Sequence, residues 1–167
     1  MTHPGSTAPA PSDYDYDLFV SFTGADLAWA RWIAAQLATA THPAGRAFRI
    51  LSQDLNFVAG ANWVSMIHDG VERSERVLAV LSPDYLQQSP FGTAEWQAIW
   101  PTDPNGLRRR LVPVRVRDCT PGGLLTAIVY IDLVHGDEQT RSAALLDGIN
   151  AAITGKYRRR GRPPLPA

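Results

Sequence analysis

Phe91, Glu95 and Ile99 recur every four residues within the stretch Ser82–Trp100, SPDYLQQSPFGTAEWQAIW, and so share one helical face. A carboxylate therefore stands in the middle of an apolar stripe. Left unpaired there, it would cost about 2–7 kcal/mol or more. Such a group must be paired, sit at the edge of a cleft, or be used in chemistry. Used, a carboxylate of this kind would stabilise positive charge that develops as a bond breaks. The bland alternative is a helix-surface Glu paired with an Arg.

Other reactive devices are not spelled out. The chain has no GxGxxG after a strand, no GxxxxGK[ST] and no GxSxG. His3, His42, His68 and His135 show no metal or catalytic spacing and read as surface residues. The lone cysteine, Cys119, excludes an internal disulfide and a multi-thiolate metal site, and reads as a small buried hydrophobe. No metal is expected. A phosphoreceiver would need an Asp at the end of the third strand, where this chain has Leu81-Ser82.

The elements that must position Glu95 follow from apolar spacing. Strands are expected at Asp17–Phe22 (DLFVSF), Phe48–Leu51 (FRIL), Arg76–Leu81 (RVLAVL), Leu111–Val116 (LVPVRV) and Ile128–Leu133 (IVYIDL). Pro113 cannot donate to a ladder, which places the fourth strand near an edge or makes it irregular. Helices are expected at Leu27–Thr39, with Trp29, Trp32, Ile33 and Leu37 on one face, and after Asn62, with Trp63, Met66, Ile67 and Val71 on one face. Two shorter helical pieces start at Ser82-Pro83 and Ser89-Pro90, because Ser caps and Pro fits the first turn. Arg117–Ala127 is rich in turn residues, and Asp137–Thr154 is the closing helix, with Leu145, Leu146, Ile149 and Ile153 inward. This alternation predicts an α/β fold, a flavodoxin-like doubly wound sheet of five parallel strands with helices on both faces. Sites in such sheets lie beyond the C-terminal strand ends, near the reversal of strand order. Phe22–Asp26, Ser52–Ala61 and Ser82–Glu95 should therefore converge on one rim.

The totals set the frame. The chain has 167 residues, 45% of them hydrophobic, enough for one domain with a core. Residues 1–14 carry little to bury and read as a disordered tail, 15–155 as the domain, and 156–167 as a basic, Pro-rich linker. Lys+Arg and Asp+Glu balance at 16 each, but Lys156, Arg158, Arg159, Arg160 and Arg162 crowd into that linker, so the body is acidic. It has no basic stripe, which argues against nucleic acid as its partner. No apolar run of membrane length and no secretory signal is read, so a cytoplasmic site without membrane attachment is expected. A single lysine among many arginines fits a GC-rich bacterial genome.

Four stretches carry a resemblance. Phe19–Asp26 (FVSFTGAD) resembles the first box of TIR (Toll/interleukin-1 receptor) domains. Asp54, Gly60 and Trp63 are similar to their second box, the BB loop. Ser82-Pro83-x-Tyr85, Ser89 and Phe91-x-x-x-Glu95 resemble the region that holds the catalytic Glu of NAD-cleaving members. Leu111–Val114 resembles the fourth-strand box. The boxes occur in order over about residues 15–155. Phe91-Gly92 departs from the family's usual Trp-Cys, and Leu55–Ala59 is less charged than its usual second box.

The resemblance implies an NAD⁺ glycohydrolase of bacterial immune defence. It would cleave the nicotinamide–ribose bond to give nicotinamide and linear or cyclic ADP-ribose. NAD⁺ would be the substrate and no cofactor would be needed. Glu95 would be the catalytic residue. Phe22, Thr23, Gly24, Asp54, Phe57, Trp63 and Phe91 would line the substrate pocket. Other TIR copies would be partners in an oligomer or filament, and downstream domains would follow in a longer chain. Gly24 also fits an ordinary tight turn, Asp54 a loop-organising or turn carboxylate, and Trp63 helix core. Two other functions fit the same pattern: a non-catalytic TIR interaction module, and a flavin-binding flavodoxin-like protein, which would be yellow when purified.

Overall fold

The apolar runs become strands because both of their faces are covered by helices. The computed structural model describes residues 13–52, 54, 59–60, 62–88, 103 and 105–156. Its strands are β1 (Tyr16–Ser21), β2 (Ile50–Ser52), β3 (Ser74–Leu81), β4 (Leu111–Arg115) and β5 (Ile131–Asp132). Among the described residues the α-helices are α1 (Leu27–Thr39), α2 (Trp63–Arg73), α3 (Pro83–Gln88) and α4 (Glu138–Thr154). Gly24–Asp26 and Gly123–Ala127 form 3₁₀ turns. The strands make one all-parallel sheet in the order β2-β1-β3-β4-β5. The expected flavodoxin-like architecture is the one observed, and its strand order reverses between β1 and β3.

Alternation along each strand builds the core. Leu18 and Val20 of β1 and Leu78 and Val80 of β3 pack against Ile33 and Leu37 of α1 and Leu145 and Ile149 of α4. Phe19 and Val77 point the other way, onto Ile67 and Val71 of α2. Each such side chain contributes about 1.5–3 kcal/mol by leaving water. Close approach is bought by small residues: a Cβ on Gly70 would meet the Phe19 ring at 3.3 Å and Leu51 at 3.2 Å, and one on Gly148 would meet Ile131 at 2.5 Å.

Helix ends obey their capping residues. The Asn62 side chain accepts from the Ser65 N–H at 3.3 Å, and Asp137 Oδ1 accepts from the Thr140 N–H at 2.8 Å. Gly155, at φ +70°, supplies the left-handed turn that ends α4. Helix α1 has the bounds expected from its spacing. Pro113 also finds a physical reason. Arg110 O and the Val116 N–H bond to β3, and Arg115 O bonds to the Leu133 N–H, so odd-numbered residues of β4 face β5. Pairing with β5 begins only at Val114, so the missing N–H of Pro113 leaves no gap in the ladder.

Three expectations need correction. The second strand is Ile50–Ser52, not Phe48–Leu51, because Arg49 is tied to Asp17 through its backbone and its side chain. The fifth strand is only Ile131–Asp132: Ile128 closes the 3₁₀ turn, and Val129 is 92% exposed. His42 is buried, whereas His68 and His135 are exposed. The expected tail at 1–14, apart from Asp13 and Tyr14, and the linker beyond Lys156 lie outside the described residues, as does the helical piece after Ser89.

Asp17 anchors the N-terminal end of the sheet. Its carboxylate is 1% exposed and accepts from both Nη atoms of Arg46 at 2.7 Å, and from Arg49 Nη2 and the Arg49 N–H at 2.8 Å. Burial alone would raise the Asp17 carboxyl, but these donors outweigh it and hold it well below the usual carboxylate range. Its stabilising contribution is therefore present above pH ~4 and is lost as pH falls below that value. Asp17→Asn should cost about 3 kcal/mol in urea unfolding at pH 7, the low end for breaking a buried pair, because both arginines keep contact with water. A variant as stable as wild type would refute the anchor.

Nearby, His42 Nδ1 accepts from the Ala44 N–H at 3.0 Å, and its ring lies edge-on to Phe48. Burial, partly opposed by Asp17, lowers the imidazole pKa. The neutral ring is the folded form, so stability should fall as pH drops below ~6.5, by at most about 1.4 kcal/mol per pH unit. Replacing His42 with Gln should flatten that slope between pH 7 and pH 5; an unchanged slope would place the titration elsewhere.

Candidate functional site

The C-terminal strand ends carry the polar side chains that the core excludes. β1 runs into the Gly24–Asp26 turn, β3 into Ser82 and α3, and β4 into Val116-Arg117. Asp26 joins all three. Its carboxylate is fully buried. Oδ2 accepts from Ser82 Oγ and, at 3.0 Å, from Thr23 Oγ1. Oδ1 faces Arg117 Nε at 3.5 Å, an ion pair rather than a well-formed hydrogen bond. Ser82 Oγ also accepts from the Tyr85 N–H at 3.1 Å, which is the cap expected for α3. Beneath it, the Ser21 and Tyr85 hydroxyls share a buried hydrogen bond of 3.2 Å.

The Asp26–Ser82 bond spans β1 and β3, the pair between which strand order reverses, where sheets of this type open a crevice. The first and third expected segments thus do meet. The second is tied to α1: Asp54 accepts from Arg31 Nε at 2.8 Å and from Ser52 Oγ at 2.8 Å. Burial pushes the Asp54 carboxyl up, but these two bonds prevail and hold it below its ordinary value.

The individual residues fall as follows. Phe22 is 9% exposed and packs into the larger core cluster. Thr23 is engaged with Asp26. Gly24 is exposed, with nothing within 4 Å of where a Cβ would stand. Trp63 begins α2, and its side chain lies outside the described residues, as do Phe57, Phe91 and Glu95 altogether. Trp29 and Trp32 are half-buried, edge to face at 5.8 Å. Cys119 packs near Tyr85 and Leu125, and burial raises its thiol, which suits a hydrophobe better than a nucleophile.

Sequence reasoning overlooked Arg117 and the depth of Asp26. The Thr23-x-x-Asp26 spacing hints at a local hydrogen bond, but nothing in the sequence pairs Asp26 with residues after β3 and β4. Among the described residues no cluster of His, Cys, Asp and Glu could hold a metal. Ser82 gives its proton to a carboxylate with no imidazole partner shown, so it caps and braces. A broad depression of about 550 Å³, lined by Gln36, Glu138, Gln139, Ser142, Ala143 and Leu146, lies between α1 and α4 and touches none of the rim segments.

Removing either member of the buried pair costs the other a buried hydrogen bond. In a double-mutant cycle, Asp26→Ala and Ser82→Ala should show coupling of about 1–3 kcal/mol in chemical unfolding. Additive losses would show that the two do not interact.

No curated protein matches the chain. Among solved structures, a metazoan TIR-STING receptor from C. gigas is similar at 22% identity and TM-score 0.59, covering 81% of this chain and 40% of that one. The same receptor in complex with 2′,3′-cGAMP gives 22% identity and TM-score 0.63 over 87% and 42%. The TIR domain of the Toll-related receptor TRR-2 from Hydra magnipapillata gives 21% and 0.56 over 82% and 98%. The chain thus spans about two-fifths of the TIR-STING receptor and nearly all of the isolated TIR domain. At these identities the likeness shows the fold. The family described as TIR domain matches residues 18–146 of the sequence, and the chain belongs to that family.

Proposed function

We propose that this TIR domain cleaves the nicotinamide–ribose bond of NAD⁺, releasing nicotinamide and linear or cyclic ADP-ribose. The observation that supports it most is the Asp26–Ser82 bond at the strand-order reversal. It joins the first-box turn to the start of α3, from which the chain runs on towards Glu95. Glu95 is the proposed catalytic residue. The glycosidic bond breaks through an oxocarbenium-like centre, and a carboxylate at the ribose stabilises that charge. NAD⁺ is the substrate, and no cofactor or metal takes part. Thr23, Gly24, Phe57, Trp63 and Phe91 are the proposed pocket walls, with Phe22 behind them and Asp54 organising the second-box loop through Arg31 and Ser52.

The setting proposed is cytoplasmic bacterial immune signalling, in assemblies of several copies and within a longer chain. No helix among the described residues is long and apolar enough to cross a membrane. The second reading, a non-catalytic interaction module, is favoured by one observation: Phe22 and Asp54 are already engaged with protein partners. Nicotinamide release from NAD⁺ at high protein concentration separates the two. Glu95→Ala should lose about 100-fold or more, as when a group that stabilises transition-state charge is removed. Full activity in that variant would remove Glu95 from the mechanism. No release by wild type in any oligomeric state would favour the interaction module.

A further inference from the structure

Arg117 leaves the end of β4 and lies across the rim with its side chain about half exposed. Its guanidinium reaches two other segments, the Gly24–Asp26 turn through two nitrogens and α3 through the third. Nε faces the buried Asp26 Oδ1 at 3.5 Å. Nη2 donates to the Ala25 carbonyl at 3.1 Å. Nη1 lies 3.6 Å from Asp84 Oδ2, in the first turn of α3. The planar fork of an arginine can make these contacts together, whereas an ammonium offers one compact charge. The contacts also converge on the β1/β3 reversal, where the Gly24–Asp26 turn and α3 form adjacent walls.

We propose that Arg117 is a positioning residue of the rim site, a three-way clasp that fixes the Gly24–Asp26 turn and the start of α3 to the end of β4. The inference deepens the proposed NAD⁺ cleavage and rests on it for its catalytic consequence, but not for its structural one. Arg117 itself touches no reacting atom. It acts through Asp26 and Asp84 on the spacing of the walls, and small misplacements of a reacting geometry are costly in rate.

The test compares wild type with Arg117→Lys and Arg117→Gln by thermal unfolding, residue-resolved amide exchange and nicotinamide release. Lys keeps a positive charge facing Asp26 but loses the fork, so Arg117→Lys should melt close to wild type while Arg117→Gln melts lower. In both variants the Asp26, Tyr85 and Leu86 amides, which bond Thr23 O, Ser82 Oγ and Ser82 O, should exchange faster by about tenfold, the loss of a local rather than a global constraint. The amides around Asp17 should not change. In both, kcat should fall about tenfold or more, consistent with misplacement of reacting groups. If wild type releases no nicotinamide, the cleavage proposal fails, and the clasp is judged by exchange alone. Wild-type exchange at those three amides in both variants would overturn the clasp. So would activity that simply follows melting temperature, or exchange that rises equally at both ends of the sheet.

Discussion

A carboxylate at zero exposure constrains everything around it. Asp26 is such a group. Taking it out of water costs several kcal/mol, which is offset only when donors are held in place. Its donors are Thr23 in its own turn and Ser82 after β3, and its counter-charge is Arg117 after β4. Moving any one of the three loops away would cost the buried carboxylate one of these partners. In a low-dielectric site such bonds are strengthened, which favours the geometry that keeps Thr23, Ser82 and Arg117 around the carboxylate.

The two ends of the sheet use buried aspartates to different effect. At the N-terminal end, Asp17 takes four donors from one short stretch, Arg46–Arg49, which holds that connection against β1 while both arginines keep contact with water. At the C-terminal end, the partners come from separate loops, and Arg117 and Asp84 remain partly exposed. The first arrangement fastens an edge. The second leaves charged groups at the rim, with Tyr85 joining that end to Ser21 and to the cluster of Ala79, Leu81 and Leu125.

Much of the fold was legible because it rests on local rules. The apolar run of residues 76–81, the helical spacing of Ile33 and Leu37, and the helix starts at Asn62 and Ser82 each depend on neighbours a few residues away. Where long-range partners decide, sequence reasoning fell short. Phe48 and Arg49 have strand-forming company, yet the Asp17 side chain takes the Arg49 N–H, and only the Arg49 carbonyl bonds the β1 backbone. Ile128–Tyr130 alternates like a strand, yet β4 offers pairing only from Val114 onwards. His42 resembles a polar turn residue, but the Ala44 N–H and the Phe48 ring give it a buried place. The candidate site divides the same way. The convergence of the first and third segments was legible from the fold class, whereas Arg117 was not, because its partners lie on other loops. Asp54 is held by Arg31, a helix residue that carries no sign of that pairing in sequence.

The central claim is that the loops joined by Asp26 form one ligand-binding rim. NAD⁺ titrated into the Glu95→Ala protein, read by backbone amide NMR, tests it most directly, since that variant should bind without turnover. Saturable shifts confined to Thr23–Asp26, Ser82–Leu86 and Arg117, with one common affinity and none around Asp17 and His42, are the outcome this account requires. Shifts that instead follow the α1–α4 depression around Gln36 and Ser142, or an absence of saturable shifts at millimolar NAD⁺, would contradict it.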